Sequence, residues 1–455
     1  MKKIFFCLVL IVFVFKISAA DNTSDNTTDT ASSKINDTLQ YGIESEIVDL
    51  LKDIGQSPNE YIYQKLFERY NDALLLDTKI ALTDFFSNSK NLPQFVSDRL
   101  FSDASSDLLD RRLETSLLNF LGKTGGIKEG NFLLSKLDSS DNIIKNITAD
   151  AIGKMKVPEL GQLLLQRLDD ADKIEEKFLG PDIKAKLIIF FGENKSLEAV
   201  PYLKKIITDK TSDKYLVMFG MVSLLKIGDV SSIDIISENL KNEDPKIQEY
   251  AAYAISSFKN KEALLPLKKM LLHNNESVRY YACKGIVLNE DYDSISNLFY
   301  KFKQDPSKKV QEEALSSLIL FDEKGIERIK DFMKGKKYNY THIGIISAAV
   351  AKKPTVYCVA YLIGIYQSTD KSGKDIIARN VVSAKDNKID PIIKELLGSE
   401  DYLIRIGALK AVYQIENSTL WETVEAISKN DPINAVKLNA KRFLDLRNNL
   451  LKSSK

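Results

Sequence analysis

The sequence predicts an all-α protein, built as a solenoid of stacked two-helix repeats. Only 20 glycines and 11 prolines interrupt 455 residues, which favours long helical segments over a many-stranded β architecture. A phrase of about twelve residues also recurs at intervals of 30–33 residues, a period typical of repeat proteins. A single compact core is excluded by length, because such cores stop growing at about 250–300 residues.

The first 20 residues are typical of a signal peptide. Lys2 and Lys3 precede an apolar run over residues 4–15, and small residues at 18–20 precede a predicted cleavage site ahead of Asp21. This run is shorter than the roughly 20 apolar residues that a membrane-spanning helix needs. We therefore expect a mature chain without a transmembrane span, located in the periplasm or associated with the cell envelope. A retained segment would instead anchor the chain in the membrane.

Three further regions follow the predicted signal peptide. Residues 21–40 are almost entirely polar and predict a disordered tether. Residues 41–101 have helical apolar spacing and predict an N-terminal cap or divergent repeats, and residues 102–455 predict the repeat solenoid with a C-terminal capping helix. Residues 21–110 contain 17 acidic and 7 basic residues, whereas the whole chain has a net charge of +1. This asymmetry is compatible with a solvated surface or with two ends that meet different partners.

The repeated phrase is clearest at residues 244–255, 275–286 and 305–318. Aligned copies place an apolar residue in one column and a small residue four positions later in a second column. The apolar column contains Leu113, Ile144, Ile183, Leu216, Ile247, Val278, Val310 and Ile404. The small column contains Gly220, Ala251, Ala282, Ala314 and Ala408.

Each part of the phrase has a physical role. The Asp or Asn ahead of each copy can cap a helix, and proline suits the first helical position. A small residue lets a neighbouring helix approach closely. A second apolar segment follows and predicts the partner helix of each pair, at residues 264–272, 295–302, 326–332, 392–397 and 421–427. One pair cannot bury its apolar faces alone, so the pairs must stack.

These residues resemble the HEAT family in its short form of about 30 residues, whose first helix typically contains Asp-Pro-x-Val-Arg-x-x-Ala. The copies at 275–286 and 401–412 match best and contain the family's arginine as Arg279 and Arg405. Glutamine stands at that position in two other copies, Gln248 and Gln311. The resemblance covers about residues 103–444. It implies a right-handed, curved α-solenoid whose concave face is lined by the second helices.

Residues that could carry catalysis are scarce. The chain has two histidines, His273 and His342, and neither has a carboxylate or cysteine at ligand spacing. The sequence therefore predicts no catalytic residue, no metal site, no cofactor and no enzymatic activity. Cys283 and Cys358 are the only cysteines beyond the signal segment, and we expect both to be reduced and buried because they lie more than two repeats apart.

The densest basic cluster of the sequence has tyrosines interleaved with lysines. It comprises Lys334, Lys336, Lys337, Tyr338, Tyr340, Lys352 and Lys353. A solvated turn and a docking patch for an acidic partner both explain it. The near-neutral net charge argues against a nucleic-acid partner.

The expected function is that of an extracytoplasmic scaffold, which binds one or more cell-envelope proteins. A carbohydrate, lipid or cell-envelope polymer is the alternative ligand. Stacking would then come from tyrosines such as Tyr61, Tyr63, Tyr202, Tyr300, Tyr361 and Tyr366. The family resemblance also implies a third option, a bilin lyase, which the predicted export and the scarcity of His and Cys disfavour.

Overall fold

A computed structural model describes residues 27–106, 109–415 and 417–453. The predicted signal peptide lies outside these residues, as does the start of the predicted tether. The described residues are helical throughout, without a strand, and they divide between two compact units, Met1–Ala151 and Ile152–Lys455. The predicted fold class, an α-solenoid of stacked helix pairs, is confirmed.

The first unit contains seven complete helices and most of an eighth. They are α1 (Thr27–Tyr41), α2 (Glu44–Leu50), α3 (Glu60–Asp72), α4 (Leu76–Asn88), α5 (Gln94–Ala104), α6 (Arg111–Thr124), α7 (Ile127–Lys136) and α8 (Asn142–Lys154). Helices α2, α4 and α6 pack successively on one another, and α1 packs on both α2 and α3.

Helix α1 differs from the tether predicted for residues 21–40. Its apolar residues Ile35 and Leu39 stand four positions apart, and Leu39 is only 2% exposed. Arg69 of α3 donates a hydrogen bond from Nε to the Leu39 carbonyl at 2.8 Å. This largely polar segment thus packs on α2 and α3 with two apolar residues on one helical face.

The unit boundary also differs from the division predicted between residues 101 and 102. Phe101 of α5 packs edge-on against Phe132 of α7, with ring centroids 5.5 Å apart. Tyr70 of α3 donates a hydrogen bond to Asp103 at 2.8 Å. These contacts join both sides of position 101 into one unit.

The second unit continues the series of helices. They are α9 (Gly161–Lys173), α10 (Pro181–Asn194), α11 (Val200–Thr208), α12 (Lys214–Ile227), α13 (Ile233–Glu238), α14 (Pro245–Ser257), α15 (Leu264–Met270), α16 (Glu276–Leu288), α17 (Ile295–Gln304), α18 (Lys308–Leu320), α19 (Glu323–Met333), α20 (Tyr340–Lys352), α21 (Val356–Ser368), α22 (Lys371–Val381), α23 (Asp390–Leu397), α24 (Tyr402–Gln414), α25 (Trp421–Asn430) and α26 (Asn434–Ser453). Short 3₁₀ turns accompany them at Pro158–Leu160, Glu175–Lys177, Leu197–Ala199, Val230–Ser232, Asn239–Lys241, Lys261–Ala263, Tyr292–Ser294 and Asn387–Ile389.

The helices of this unit form two layers. Even-numbered helices from α10 to α26 pack in succession and form the first-helix layer. Odd-numbered helices from α11 to α25 form the second-helix layer, where α17, α19, α21 and α23 contact one another in order. Most second helices pack on the first helix that follows them in the chain, as α17 does on α18 and α23 does on α24, whereas α19 packs on α18, which precedes it.

The predicted columns lie in the core. Every residue of the apolar column is buried, from Val278 and Val310 at 0% exposure to Leu216 at 9%. The alanines of the small column are fully buried. The capping role is also confirmed, because the side chains of Asp244, Asn275 and Asp401 accept hydrogen bonds from N–H groups of the helices that follow them.

Candidate interaction surfaces

The basic cluster predicted from the sequence is divided between the two ends of α20. Lys334, Lys336, Lys337 and Tyr338 lie in the loop before this helix, and Tyr340 is its first residue. Lys352 is its last residue and Lys353 follows it. A helix of 13 residues is about 20 Å long, so these residues fall into two separate groups, and their role in partner binding stays a prediction. The sequence alone does not show this separation, because residues that are near in sequence lie far apart when a helix extends between them.

Most of the loop before α20 is exposed, and both the loop and the first residue of α20 make specific contacts. The Lys336 ammonium lies 3.8 Å from the centroid of the Phe332 ring. Tyr340 donates a hydrogen bond to Asp370 at 2.6 Å, which lowers the pKa of that carboxyl group. Lys334 and Lys337 extend into solvent.

Tyr338 belongs to the same loop, but its side chain lines a groove on the second-helix layer. We call this the tyrosine groove. It has a volume of about 410 Å³ and lies along α19 and α21. Its lining residues are Lys330, Met333, Tyr338, Tyr357, Ala360, Tyr361, Gly364, Ile365 and Ser368.

The groove follows from the spacing of residues on α21. Tyr357, Tyr361, Gly364 and Ser368 are three or four positions apart, so they share one face of the helix. Thr355 fixes the start of α21 by accepting a hydrogen bond from the Cys358 N–H at 3.1 Å. No atom lies within 4 Å of the position that a Cβ on Gly364 would occupy, which leaves the middle of the groove open.

Polar contacts hold the tyrosine rings in place. The Lys330 ammonium donates hydrogen bonds to Tyr357 Oη at 2.7 Å and to Glu327 Oε1 at 3.0 Å. It also lies 4.6 Å from the Tyr357 ring centroid and 5.7 Å from that of Tyr361. The hydroxyl groups of Tyr338 and Tyr361 contact each other. Three rings are thus fixed beside one cation.

Burial and hydrogen bonds raise the pKa values of the titratable groups in the groove. Burial raises the pKa of Tyr361, and the hydrogen bond with Tyr338 raises it further. Burial also raises the pKa of Tyr338. The hydrogen bonds with Tyr357 and Glu327 raise the pKa of Lys330, so its amine stays charged at neutral pH. At neutral pH the groove therefore contains neutral phenol rings beside an ammonium group that is paired with Glu327.

Lys352 and Lys353, at the other end of α20, line a second concave site, which we call the lysine cleft. Its volume is about 460 Å³. It also contains Pro354, Thr355, Ser383, Lys385, Asp386 and Lys388. Lys385 and Lys388 were missed by the sequence analysis. The repeat period could have found them, because one repeat of about 32 residues leads from Lys353 to Lys385.

The predicted histidines and cysteines have structural surroundings. His273 accepts a hydrogen bond at Nδ1 from the Asn275 N–H and contacts the Leu240 carbonyl through Nε2, both at 3.0 Å. His342 is half-buried against Phe302, and burial lowers its pKa. Cys283 and Cys358 are buried free thiols, and burial raises the pKa of Cys358 to about 12. Among the described residues, no group of three or more His, Cys, Asp or Glu side chains is placed to hold a metal ion.

The tyrosines suggested for carbohydrate stacking differ in exposure. Tyr63 and Tyr366 are buried at 2% and 5% exposure, so neither can stack on a ligand. Tyr61 and Tyr300 are exposed, whereas Tyr361 lies in the tyrosine groove. Tyr357 completes the groove and was not singled out from the sequence, although it stands four residues before Tyr361.

The only tryptophan of the chain, Trp421, lies at the start of α25. Its side chain is half-buried, and Arg447 lies 4.6 Å from its ring centroid. Both line a polar cavity of about 710 Å³ beside α25 and α26.

Comparisons with known proteins identify no family for this chain. No family model matches the sequence, and no curated protein matches it. A karyopherin bound to the extreme C-terminus of a protein phosphatase shares 11% identity over 92% of this chain and 52% of its own, with a TM-score of 0.42. Human deoxyhypusine hydroxylase in complex with glycerol shares 14% identity over 58% of this chain and 96% of its own, with a TM-score of 0.26.

A third similar structure is the CpcE–CpcF complex of phycocyanin lyase from Nostoc. It shares 15% identity over 58% of this chain and 94% of its own, with a TM-score of 0.28. Similarities of this size assign no activity to the chain. The packing of the helix pairs themselves places it in the class of α-solenoid repeat proteins. None of the described helices combines the length and apolarity needed to cross a bilayer.

Proposed function

We propose that this chain is an interaction scaffold that binds a protein partner through its second-helix layer. The tyrosine groove is the observation that carries the proposal. Tyrosine combines a large apolar ring with a polar tip and is enriched where proteins bind one another. Three such rings beside Lys330 provide a rigid anchor site at low cost in conformational entropy.

A site-specific crosslink tests the proposal directly. A photo-crosslinking amino acid at Ser368 would lie in the groove, and one at Leu403 would lie on α24 in the first-helix layer, where Leu403 is 62% exposed. We expect irradiation of the native cells to join the Ser368 form to one or two proteins, which mass spectrometry then identifies. Equal capture by the Leu403 form would contradict the proposal.

A second pair of variants tests the contribution of the rings. Tyr357→Ala combined with Tyr361→Ala removes two walls of the groove, whereas Tyr402→Ala removes a tyrosine of α24 that is 43% exposed. We expect the double variant to lose the Ser368 crosslink and the control to keep it. Circular dichroism checks that both variants stay helical.

Export is a separate part of the proposal. The basic residues and apolar run at the N-terminus support cleavage ahead of Asp21 and a location in the periplasm or at the cell envelope. N-terminal sequencing of the protein from its own cells, after fractionation, should give Asp21 as the first residue. An intact N-terminus in the membrane fraction would instead indicate an anchored scaffold.

A carbohydrate or other cell-envelope polymer is the second candidate ligand, because sugar rings also stack on tyrosine faces. Retention of the protein on purified cell-envelope polysaccharide would favour this alternative if retention also depended on Tyr357 and Tyr361. Protein crosslinks at Ser368 without such retention would exclude it.

A further inference from the structure

The lysine cleft brings together cations from two successive repeats. Lys352 and Lys353 come from the end of α20, and Lys385 and Lys388 come from the segment between α22 and α23. All four side chains are exposed at the rim of a cavity of about 460 Å³. They are therefore accessible to a ligand that enters the cleft.

The carboxylate within the cleft does not neutralise this charge. Asp386 accepts a hydrogen bond from the Lys388 N–H at 2.9 Å, and its other oxygen lies 3.8 Å from the Lys388 ammonium. Lys352 interacts electrostatically with Glu313, and the Thr355 hydroxyl donates a hydrogen bond to Asp322 at 2.6 Å. Neither of these carboxylates lines the cleft, where four lysines accompany the single carboxylate of Asp386. The cleft therefore has an excess of positive charge.

The helix dipoles account for two of the four lysines in the cleft. Lysines at a helix C-terminus interact favourably with the helix dipole, which accounts for Lys352 and Lys353 at the end of α20. Lys385 and Lys388 lie ahead of α23, where the dipole of that helix disfavours cations. The four ammonium groups share the cavity with one carboxylate, so a further anion that enters it would reduce their mutual repulsion.

The cleft is adjacent in the chain to the tyrosine groove. Thr355 lines the cleft and caps α21, and Tyr357 begins the groove two residues later. Val356 stands between them and is 82% exposed. A single extended ligand can therefore follow the start of α21 from a basic site to an aromatic one.

We propose that the lysine cleft binds an acidic segment of the partner polypeptide, whose neighbouring residues occupy the tyrosine groove. This inference rests on the proposed scaffold function. A polypeptide fits better than a membrane surface, because a recessed cavity admits side chains but excludes a flat bilayer. It also fits better than polyphosphate, which has no ring or apolar group to place against the tyrosines beside the cleft.

A matched pair of triple variants tests the cleft. Lys352→Gln, Lys353→Gln and Lys385→Gln are combined in one protein, and Lys334→Gln, Lys336→Gln and Lys337→Gln are combined in the control. Both proteins lose three positive charges, the first from the lysine cleft and the control from the loop before α20. The replaced lysines are all exposed, so the fold should survive in both proteins.

The probe is a fluorescein-labelled decaglutamate peptide, titrated with the purified protein at low salt and followed by anisotropy. Exposed ion pairs each contribute little, so loss of three together should weaken binding about tenfold in the cleft variant. The control should change by less than about twofold, and added salt should weaken binding to the wild type. Equal loss in both variants, or no binding by the wild type, would overturn the proposal.

Competition identifies the anion. Decaglutamate should displace the labelled peptide, whereas polyphosphate and vesicles containing anionic lipid should do so less effectively at equal charge. Stronger competition by either would replace the acidic polypeptide with a phosphate polymer or a membrane as the ligand. The Ser368 crosslink does not depend on this assay, so failure of the cleft proposal and failure of the scaffold proposal are distinguishable.

Discussion

Arg279 and Asp305 form a buried two-point ion pair that links one repeat to the next. Arg279 donates from Nε and Nη2 to the two carboxylate oxygens, each at 2.8 Å. Its Nη1 donates to the carbonyls of His273 and Asn274, also at 2.8 Å. The arginine of the HEAT-like repeat therefore links the loop before its own helix to Asp305, which lies just ahead of the next first helix, α18. Arg405 and Asp431 repeat the arrangement, with donor–acceptor distances of 2.8 and 2.9 Å.

Removing Arg279 should destabilise the protein strongly. The side chains of Arg279 and Asp305 are 7% and 0% exposed, so Arg279→Ala leaves a buried carboxylate without its main partner. We expect a loss of about 3–5 kcal/mol in the free energy of unfolding, measured by urea titration. The control is Arg379→Ala, which removes an arginine that is 77% exposed and should cost less than about 1 kcal/mol. Similar costs for both variants would show that the buried pair has no special role.

The same carboxylates should make stability depend on pH. Burial alone would raise the pKa of Asp431, but hydrogen bonds from Arg405 and from the Ile433 N–H outweigh it and lower the pKa. The pKa of Asp305 is lowered in the same way, by Arg279, the Ser307 N–H and Lys301. A carboxyl whose pKa falls on folding stabilises the native state above its unfolded pKa of about 3.9, and this contribution disappears as the pH falls through the folded value.

We therefore expect the free energy of unfolding to fall as the pH is lowered below about 4. Asp431→Asn should lower stability at neutral pH and reduce the steepness of this acid loss. Urea titrations between neutral pH and about pH 3 provide the measurement. An unchanged acid slope in the variant would mean that other carboxyl groups dominate acid unfolding.

A neutral pair replaces the ion pair in an earlier repeat. Gln248 stands at the arginine position and accepts a hydrogen bond from Asn275 Nδ2 at 2.9 Å. Gln248→Arg combined with Asn275→Asp recreates the charged pair at this junction. We expect the free energy of unfolding of the double variant to exceed, by about 1 kcal/mol, the value obtained by adding the effects of the two single substitutions. A double-mutant cycle in urea measures this coupling energy. A coupling energy near zero would indicate that this junction is too open for a specific pair.

Close approach of the first helices makes one glycine sensitive to substitution. A Cβ on Gly192 of α10 would lie 2.9 Å from the Ser223 Cα of α12. We expect Gly192→Ala to destabilise the protein by about 1–3 kcal/mol through overpacking. Gly364→Ala is the control, because its Cβ would meet no atom within 4 Å. Alanine there should stabilise α21 by about 0.5–1 kcal/mol, and thermal melts of both variants should shift in opposite directions.

The sequence determined the repeat architecture, because its period is encoded by local rules. An apolar residue, a small residue four positions later and a capping residue ahead of them must recur wherever a helix pair packs on the next. The burial of Ile247 and Ala251, and the cap provided by Asp244, followed from that pattern alone. The segment at α1 escaped prediction because its packing depends on a helix that lies 30 residues later, through Leu39 and Arg69.

The interaction surfaces were decided by the tertiary structure. Lys334 and Lys353 are near in sequence, but α20 separates them by about the length of a 13-residue helix. Stacking instead placed Lys353 beside Lys385 and Tyr338 beside Tyr361. The spacing of residues along the chain specifies each helix and its buried face. A site, in contrast, is formed by side chains from neighbouring repeats, and the stacking of the helices decides which of these side chains come together.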